Sequence, residues 1–332
     1  MRPWTGLVIA AGLLTGLQFL CAAQALAADA APDWQSPHYA GHPLAGTVWS
    51  GDGKPATRSD LERSAVSSDF VLLGEIHTNP DHHRLQAELL TAMTAAGRKP
   101  ALVFEMIPAG FQDVLDAFVA AAPASAKGLG PSVDWEGRGW PPWSIYQPVA
   151  EAALAAGLPM VAGDLDGSLI REIGRKGRTA LSPDQQERLS LSGDLSEPLN
   201  AEIREILKQS HCNLLPDPAI EPMLLVQRAR DGALAAAMLA AVNGGADGAV
   251  LIAGAGHTRR DFAVPRILAD RKAGSRIFSV AFVEVDPDMM SLEQYGVSNL
   301  YDFTVFTPRA DLTDHCAELA ERMKGRPEKE PE

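Results

Sequence analysis

From Asp69 onward, short apolar runs alternate with longer stretches of helical spacing. Phe70-Val-Leu-Leu73 stops at Gly74, and Ala101-Leu-Val-Phe104 stops at Glu105. Leu158-Pro-Met-Val-Ala162 and Ala249-Val-Leu-Ile-Ala253 repeat the theme. Runs this short and this uniformly apolar read as strands covered on both faces. Helices are predicted from Asn79-Pro80-Asp81 to about Ala96, near Ala109 to Ala121, on each side of the third run, and over Phe262 to Ala269. Arg276 to Val283 and Phe303 to Phe306 read as further strands. The alternation predicts an α/β fold: a mostly parallel sheet flanked by helices.

Two regions depart from this rhythm. Gly46-Thr-Val-Trp-Ser50 followed by Gly51-Asp-Gly53 predicts a small hairpin with a D-G turn, and Ser59 to Ala65 a short helix. Residues 179–242 are helical almost throughout, in Pro183 to Glu187, Glu197 to Gln209 and Ile220 to Val242. They predict a smaller helical subdomain inserted into an α/β domain of residues 46–178 and 243–323. The Gly-, Pro- and Trp-rich loop from Pro123 to Pro142 is expected to lie over the sheet edge. Residues 324–332 are charged and expected to be a disordered tail.

Residues 1–27 have the order of a secretory signal: Arg2, an apolar run from Gly6 to Ala23, then A-x-A sites at Ala23-Gln24-Ala25 and Ala25-Leu26-Ala27. A retained membrane anchor is the alternative. Lipid attachment at Cys21 is disfavoured by the bulky Gln18-Phe19-Leu20. Residues 28–45 read as a tether. The expectation is a periplasmic or otherwise exported protein. Losing Arg2 with the signal takes the formal charge from −13 to −14. With that acidity and no basic stripe, nucleic acid is excluded as a partner. Beyond residues 1–27 the cysteines are Cys212 and Cys316, and in an exported chain one disulfide is expected between them. Both follow a histidine, so a split zinc site is the competing assignment.

Candidate chemistry is positional. The four apolar runs are followed by Glu75 and His77, by Glu105, by Asp164, and by Gly254-Ala-Gly-His257. In an open parallel sheet the carboxyl ends of the strands share one rim, where ligands bind. Glu75, His77, Glu105 and His257 are therefore the expected catalytic or metal-ligating set, since imidazole and carboxylate serve both roles. His82 and His83 open a helix just past this rim. Two readings stand: one of them, with His83 as a cofactor-binding candidate, points into the crevice, or both belong to a solvated helix start. Arg259 and Arg260 suit an anionic group such as a propionate or carboxylate, with an ordinary surface pair the expectation for at least one of them. Gln227, Arg228 and Asp231 share one face of a long helix, where a structural salt bridge is the expectation. Met289-Met290 is assigned to packing, and Tyr295 and Tyr301 are candidate ferric ligands.

The run from Leu73 to Gln86 resembles the opening motif of ChaN-like haem-binding uptake proteins. Phe104-Glu105-Met106, Gln227 to Asp231, Ala253 to Arg259, and Tyr301-Asp302 with the later Cys316 fit the same pattern in the same order. The likeness spans about Gly46 to Leu319. The wider group includes TIKI/TraB and erythromycin-esterase-like proteins, which share paired G-x-x-H motifs with an intervening Glu, matched here by Gly74 to His77, Glu105, and Gly254 to His257. The resemblance implies a parallel sheet with a smaller helical domain, haem held by a homodimer through tyrosine ligation, and a role in envelope haem or iron acquisition beside an outer-membrane haem uptake system. Relatives are often lipoproteins, a feature the approach to Cys21 does not share.

Two functions follow. The resemblance implies a haem or iron binding protein, although no C-x-x-C-H attachment motif is present. The His/Glu set implies instead a divalent-metal-dependent or His/Glu-catalysed hydrolase of an ester or amide.

Overall fold

The local sequence signals for helix starts are satisfied in space. The computed structural model describes residues 33–122 and 124–324. The expected signal (1–27), the first part of the tether and the tail beyond Lys324 lie outside the described residues. Thr57 caps α1 (Arg58–Ser67) in a reciprocal box with Asp60. Asn79 caps α2 (Pro80–Ala95), accepting from the backbone N–H groups of Asp81 and His82, with Pro80 at the first helical position.

One eight-stranded sheet organises the chain, in the order β2-β1-β8-β7-β3-β6-β4-β5. Its parallel members are β3 (Phe70–Glu75), β4 (Ala101–Pro108), β5 (Met160–Asp164), β6 (Ala249–Gly254), β7 (Ile277–Glu284) and β8 (Phe303–Thr307). The predicted hairpin, β1 (Val48–Ser50) and β2 (Pro55–Ala56), joins antiparallel beside β8. Every residue of β3 is buried, as a strand covered on both faces requires.

On one face α2 and α5 (Trp143–Ala155) pack against Val71, Leu73, Phe104 and Met106. The Trp-rich loop reaches the carboxyl rim of the sheet, where Trp140 meets the His77 ring. It also passes through short helical turns, including α4 (Leu129–Ser132), and sinks Trp135 into this same core beside Trp143 at the start of α5. Indole area is too large to leave in water, and each ring nitrogen finds a carbonyl: Trp135 Nε1 donates to Pro141 O and Trp143 Nε1 to Ala126 O. The short α3 (Gln112–Ala120) follows β4.

The other face is covered by α9 (Asp217–Asn243) and α10 (Val264–Arg271), through Leu234, Met238, Val264 and Leu268. The N-terminal half of α9 packs against α6 (Gly167–Lys176), α7 (Pro183–Arg188) and α8 (Glu197–Ser210) in smaller apolar clusters. One helix thus serves both the sheet and the helical region. The Cys212–Cys316 disulfide is formed, tying the turn between α8 and α9 to α11 (His315–Lys324). Among the described residues no helix is long and apolar enough to cross a membrane.

Candidate functional site

Strand register builds the site. Glu75, the last residue of β3, stands opposite Gly254, the last of β6, in a parallel pair. Phe104 of β4 stands opposite Ile252 on the other side of β6. Glu75-Ile-His77, Glu105 and Gly254 to His257 therefore leave the sheet at one rim. The sharp exit of β3 needs a glycine, because a Cβ on Gly74 would overlap Thr258 Oγ1 and come within 2.9 Å of Ala255 Cα.

Glu75 is fully enclosed by donors. Its Oε1 lies 2.9 Å from His77 Nδ1 and accepts a short bond from the Tyr146 hydroxyl. Its Oε2 accepts from Gln86 Nε2 at 2.7 Å and faces His83 Nδ1 at 3.0 Å. Burial alone would raise its pKa. The positive potential of His83 and the bonds from His77 and His83 outweigh burial and hold the carboxyl well below the usual range. The same surroundings push the Tyr146 phenol well above its ordinary value, through burial first and the Glu75 charge second.

The Glu75 bond fixes the His77 ring and directs its other nitrogen outward. Nε2 passes 3.2 Å from where a Cβ on Gly254 would stand and has no hydrogen-bond partner among the described residues. The side chain is 33 % exposed, and Trp140 meets the ring edge-on at 5.0 Å. Burial lowers the affinity of His77 for a proton, but Glu75 and Glu105 raise it more, so the net shift is upward.

The second half of the site is a chain of alternating charges. Glu105 Oε2 accepts from Gly254 N at 2.7 Å, and Oε1 accepts from Arg230 Nη2 at 2.7 Å. Arg230 also binds Asp164 Oδ2 through Nε at 2.8 Å and Nη2 at 2.6 Å. His257 Nε2 lies 3.3 Å from Glu105 Oε1, and its Nδ1 lies 2.6 Å from Asp231 Oδ1 and 3.1 Å from Gln227 Nε2. Burial works against the imidazolium, yet Glu105 and Asp231 push its pKa up to about 10, so His257 is a fixed cation at neutral pH. Glu105 is held well below the carboxylate range against the burial penalty, chiefly by His257 and Arg230.

Several expectations are revised by these contacts. The salt bridge expected within Gln227, Arg228 and Asp231 is replaced by other pairings. Arg228 turns to Gly193 O and Asp194, while Asp231 points from α9 into the rim and accepts from His257 Nδ1, with the Gln227 side-chain amide beside the same nitrogen. Neither neighbouring histidine opens to the crevice from α2. His82 Nδ1 accepts from Ile76 N and its Nε2 donates to Thr307 Oγ1, and burial pushes its pKa down to about 3. His83 is buried behind Glu75, with Nε2 donating to His77 O. Arg259 pairs with Glu202 at 2.6 Å and Asp261 at 2.5 Å, and Arg260 with Asp302 at 2.8 Å. Tyr301 is buried, its hydroxyl donating to Ala255 O, and burial pushes its pKa up to about 12. Tyr295 is half-buried against Phe306 and accepts from Asp286 N.

Tyr146 and Arg230 were not recognised from sequence. A tyrosine inside an apolar helical stretch carries no local signal. Arg230 is separated from its partners Glu105 and Asp164 by 125 and 66 positions.

The donor set does not suit the divalent metal assigned to His77, His257, Glu105 and Glu75. All four carboxylate oxygens of Glu75 and Glu105 are already committed, a guanidinium sits among them, and among the described residues no metal-binding group of three or more is gathered. A cavity of about 650 Å³ lies elsewhere, along the β5 edge against alanines of α9, and of the site residues only Asp164 lines it. A smaller one, about 280 Å³, ends on Gln227 and Arg230.

Parallel sheet, paired glycine–histidine exits and a buried glutamate between them define an α/β protein with its chemistry on the carboxyl rim. The family model of haem-binding uptake proteins (Tiki superfamily, ChaN) matches residues 61–268, and the chain belongs to that family. A structure described as cofacial haem binding to ChaN of Campylobacter jejuni has a TM-score of 0.62 and 18 % identity, covering 78 % of this chain and 95 % of that one. A mutant of the erythromycin esterase EreC in its open conformation has a TM-score of 0.45 at 12 % identity, covering 78 % and 95 %. The type III effector HopBA1 has a TM-score of 0.41 at 14 % identity, covering 75 % and 92 %. The ChaN likeness shows a shared fold; the other two are too remote to carry an argument. No curated protein matches the sequence.

Proposed function

We propose that this protein binds haem, as a homodimer, in haem or iron acquisition at the cell envelope. Family membership over residues 61–268 is the observation that carries this reading. The phenols available to iron from outside are Tyr39, 38 % exposed, and the half-buried Tyr295. Tyr146 and Tyr301 would first have to leave Glu75 and Ala255 O. Haem supplies an iron centre, and this chain's part is to hold and shield the macrocycle. Titration with hemin tests the reading. A saturable Soret shift is expected, lost in Tyr39→Phe or Tyr295→Phe and kept in His77→Ala. No shift at all ends it.

A second reading is favoured by one feature, the carboxylate-held imidazole with an open Nε2. Glu75 orients His77 to take a proton from water at Nε2, while the buried His257 cation supports negative charge developing nearby. Neither carboxylate serves as base, since both are enclosed by donors. Turnover of a p-nitrophenyl ester, falling by about 10²–10⁴ in His77→Ala, is the expected outcome. Turnover unchanged in that variant excludes it.

A further inference from the structure

We infer that His82 and His83, in the first turn of α2, are positioning residues that clamp the Glu75-Ile76-His77 exit of β3, His82 as a neutral imidazole and His83 as an imidazolium. Each residue of the exit is gripped by one histidine nitrogen. His82 Nδ1 accepts from Ile76 N at 2.9 Å, His83 Nε2 donates to His77 O at 3.1 Å, and His83 Nδ1 faces Glu75 Oε2 at 3.0 Å. Both side chains are buried, so protein partners rather than water must satisfy their nitrogens.

The partners fix the proton count of each ring. A backbone N–H only donates, so His82 Nδ1 is bare and its proton stands on Nε2, toward Thr307 Oγ1 at 2.8 Å. His83 meets only acceptors: a carbonyl on Nε2, and on Nδ1 a carboxylate and Gln86 Oε1 at 3.1 Å. The Gln86 amide cannot be turned round, because its Nε2 already donates to Leu73 O and Glu75 Oε2. A neutral imidazole would set a lone pair against one of these oxygens; two donor nitrogens require the cation. The groups around that cation are Glu75 from β3, His77 from the exit, His82 and Gln86 from its own helix, and Tyr146 from α5. The Tyr146 ring packs on it at 3.7 Å between centroids, and its phenol stays protonated. Glu75 is therefore balanced by His83, and it orients His77 without acting on it as an unpaired carboxylate would. The clamp stands by itself, and only its consequence for turnover rests on the hydrolytic reading.

The full chain, its histidines labelled with heavy nitrogen and assigned through their bonds to the backbone, is followed by NMR between about pH 5 and 8. His83 is expected to show two protonated ring nitrogens throughout, and His82 a bare Nδ1 beside a protonated Nε2. His83→Gln keeps a donor near Nε2 for the His77 carbonyl but carries no charge. With Glu75 no longer balanced, the His77 titration is expected to move to higher pH by at least about one unit. Loss of packing alone would not move it upward. If that variant loses its helical circular dichroism, the wild-type spectrum decides instead. A bare nitrogen on His83 at neutral pH, or a His77 titration unmoved or lowered in folded His83→Gln, overturns the proposal. In the hydrolytic reading the pH midpoint of p-nitrophenyl ester turnover moves with that of His77. Doubly protonated His83 without ester turnover retires that reading and keeps the clamp. A bare His83 nitrogen beside His77-dependent turnover does the reverse.

Discussion

Asp231 Oδ1 lies 2.6 Å from His257 Nδ1, across 26 positions of sequence and between two different elements, α9 and the turn after β6. Together with Glu105 on the opposite ring nitrogen, it makes His257 a buried cation rather than a neutral base.

Asp231→Ala therefore removes half of that support. It is expected to cost about 3–5 kcal/mol in urea unfolding, as breaking a buried pair does, and to move the His257 titration to lower pH by NMR. The folded pKa of about 10 lies above the unfolded value. The pair's stabilisation is thus complete below about pH 6.5 and declines as pH rises toward 10. That alkaline decline should flatten in the variant; an unchanged pH profile refutes the assignment.

Glu75 works in the opposite sense. Its folded pKa is depressed, so its contribution is present above about pH 4.3 and lost as pH falls through the folded value. Tyr146→Phe deletes one donor to this carboxylate. It should destabilise by about 1.5–3 kcal/mol, as for a bond to a charged group, and shift acid unfolding to higher pH. Fluorescence of the buried Trp135, 4.6 Å from Tyr146 ring to ring, reports the transition.

The glycines of the two exits should separate folding from function. Gly74→Ala drives a methyl into Thr258 and to 3.0 Å from Val280 O, and overpacking of this kind costs about 1–3 kcal/mol. Gly254→Ala places its methyl nearest to the His77 ring tip, at 3.2 and 3.4 Å, and Glu105 Oε2 at 3.7 Å. Its thermal midpoint should stay near wild type while any His77-dependent turnover falls about tenfold or more. Equal melting of the two variants contradicts this.

Cys316→Ser opens a covalent loop spanning 104 positions. In the chain-entropy description that loses about 4–5 kcal/mol. Denaturant unfolding with and without reductant checks it: the wild type should respond to reductant and the variant should not.

Much of this was legible in the chain. The four runs at Phe70, Ala101, Leu158 and Ala249 are strands, because an apolar run bounded by glycine or charge has few other places to go. The helix start at Asn79 and the grouping of Glu75, His77, Glu105 and His257 at one rim also followed, since parallel strands end on a common edge. The pattern starts the first helix at Ser59, whereas Thr57 caps it. Protonation and orientation did not. His82 and His83 look alike in sequence, yet one is locked to Thr307 and the other to Glu75. The Trp-rich loop read as a cover because Gly and Pro dominate its pattern, and Trp140 does reach the rim, but the burial of Trp135 in the core had no signal in that pattern.

The sequence by itself determined the alternation of elements, the disulfide pair and which acidic and imidazole groups reach the rim. These depend on periodicity, counting and strand polarity, all written along one dimension. Only the tertiary structure decided that Arg230 ties Glu105 to Asp164, that Asp231 charges His257, and that Tyr146 holds Glu75. Hydrogen bonds and charge pairs act over about 3 Å in space with no regard for separation along the chain. Their energetic weight arises only once water has been excluded around them.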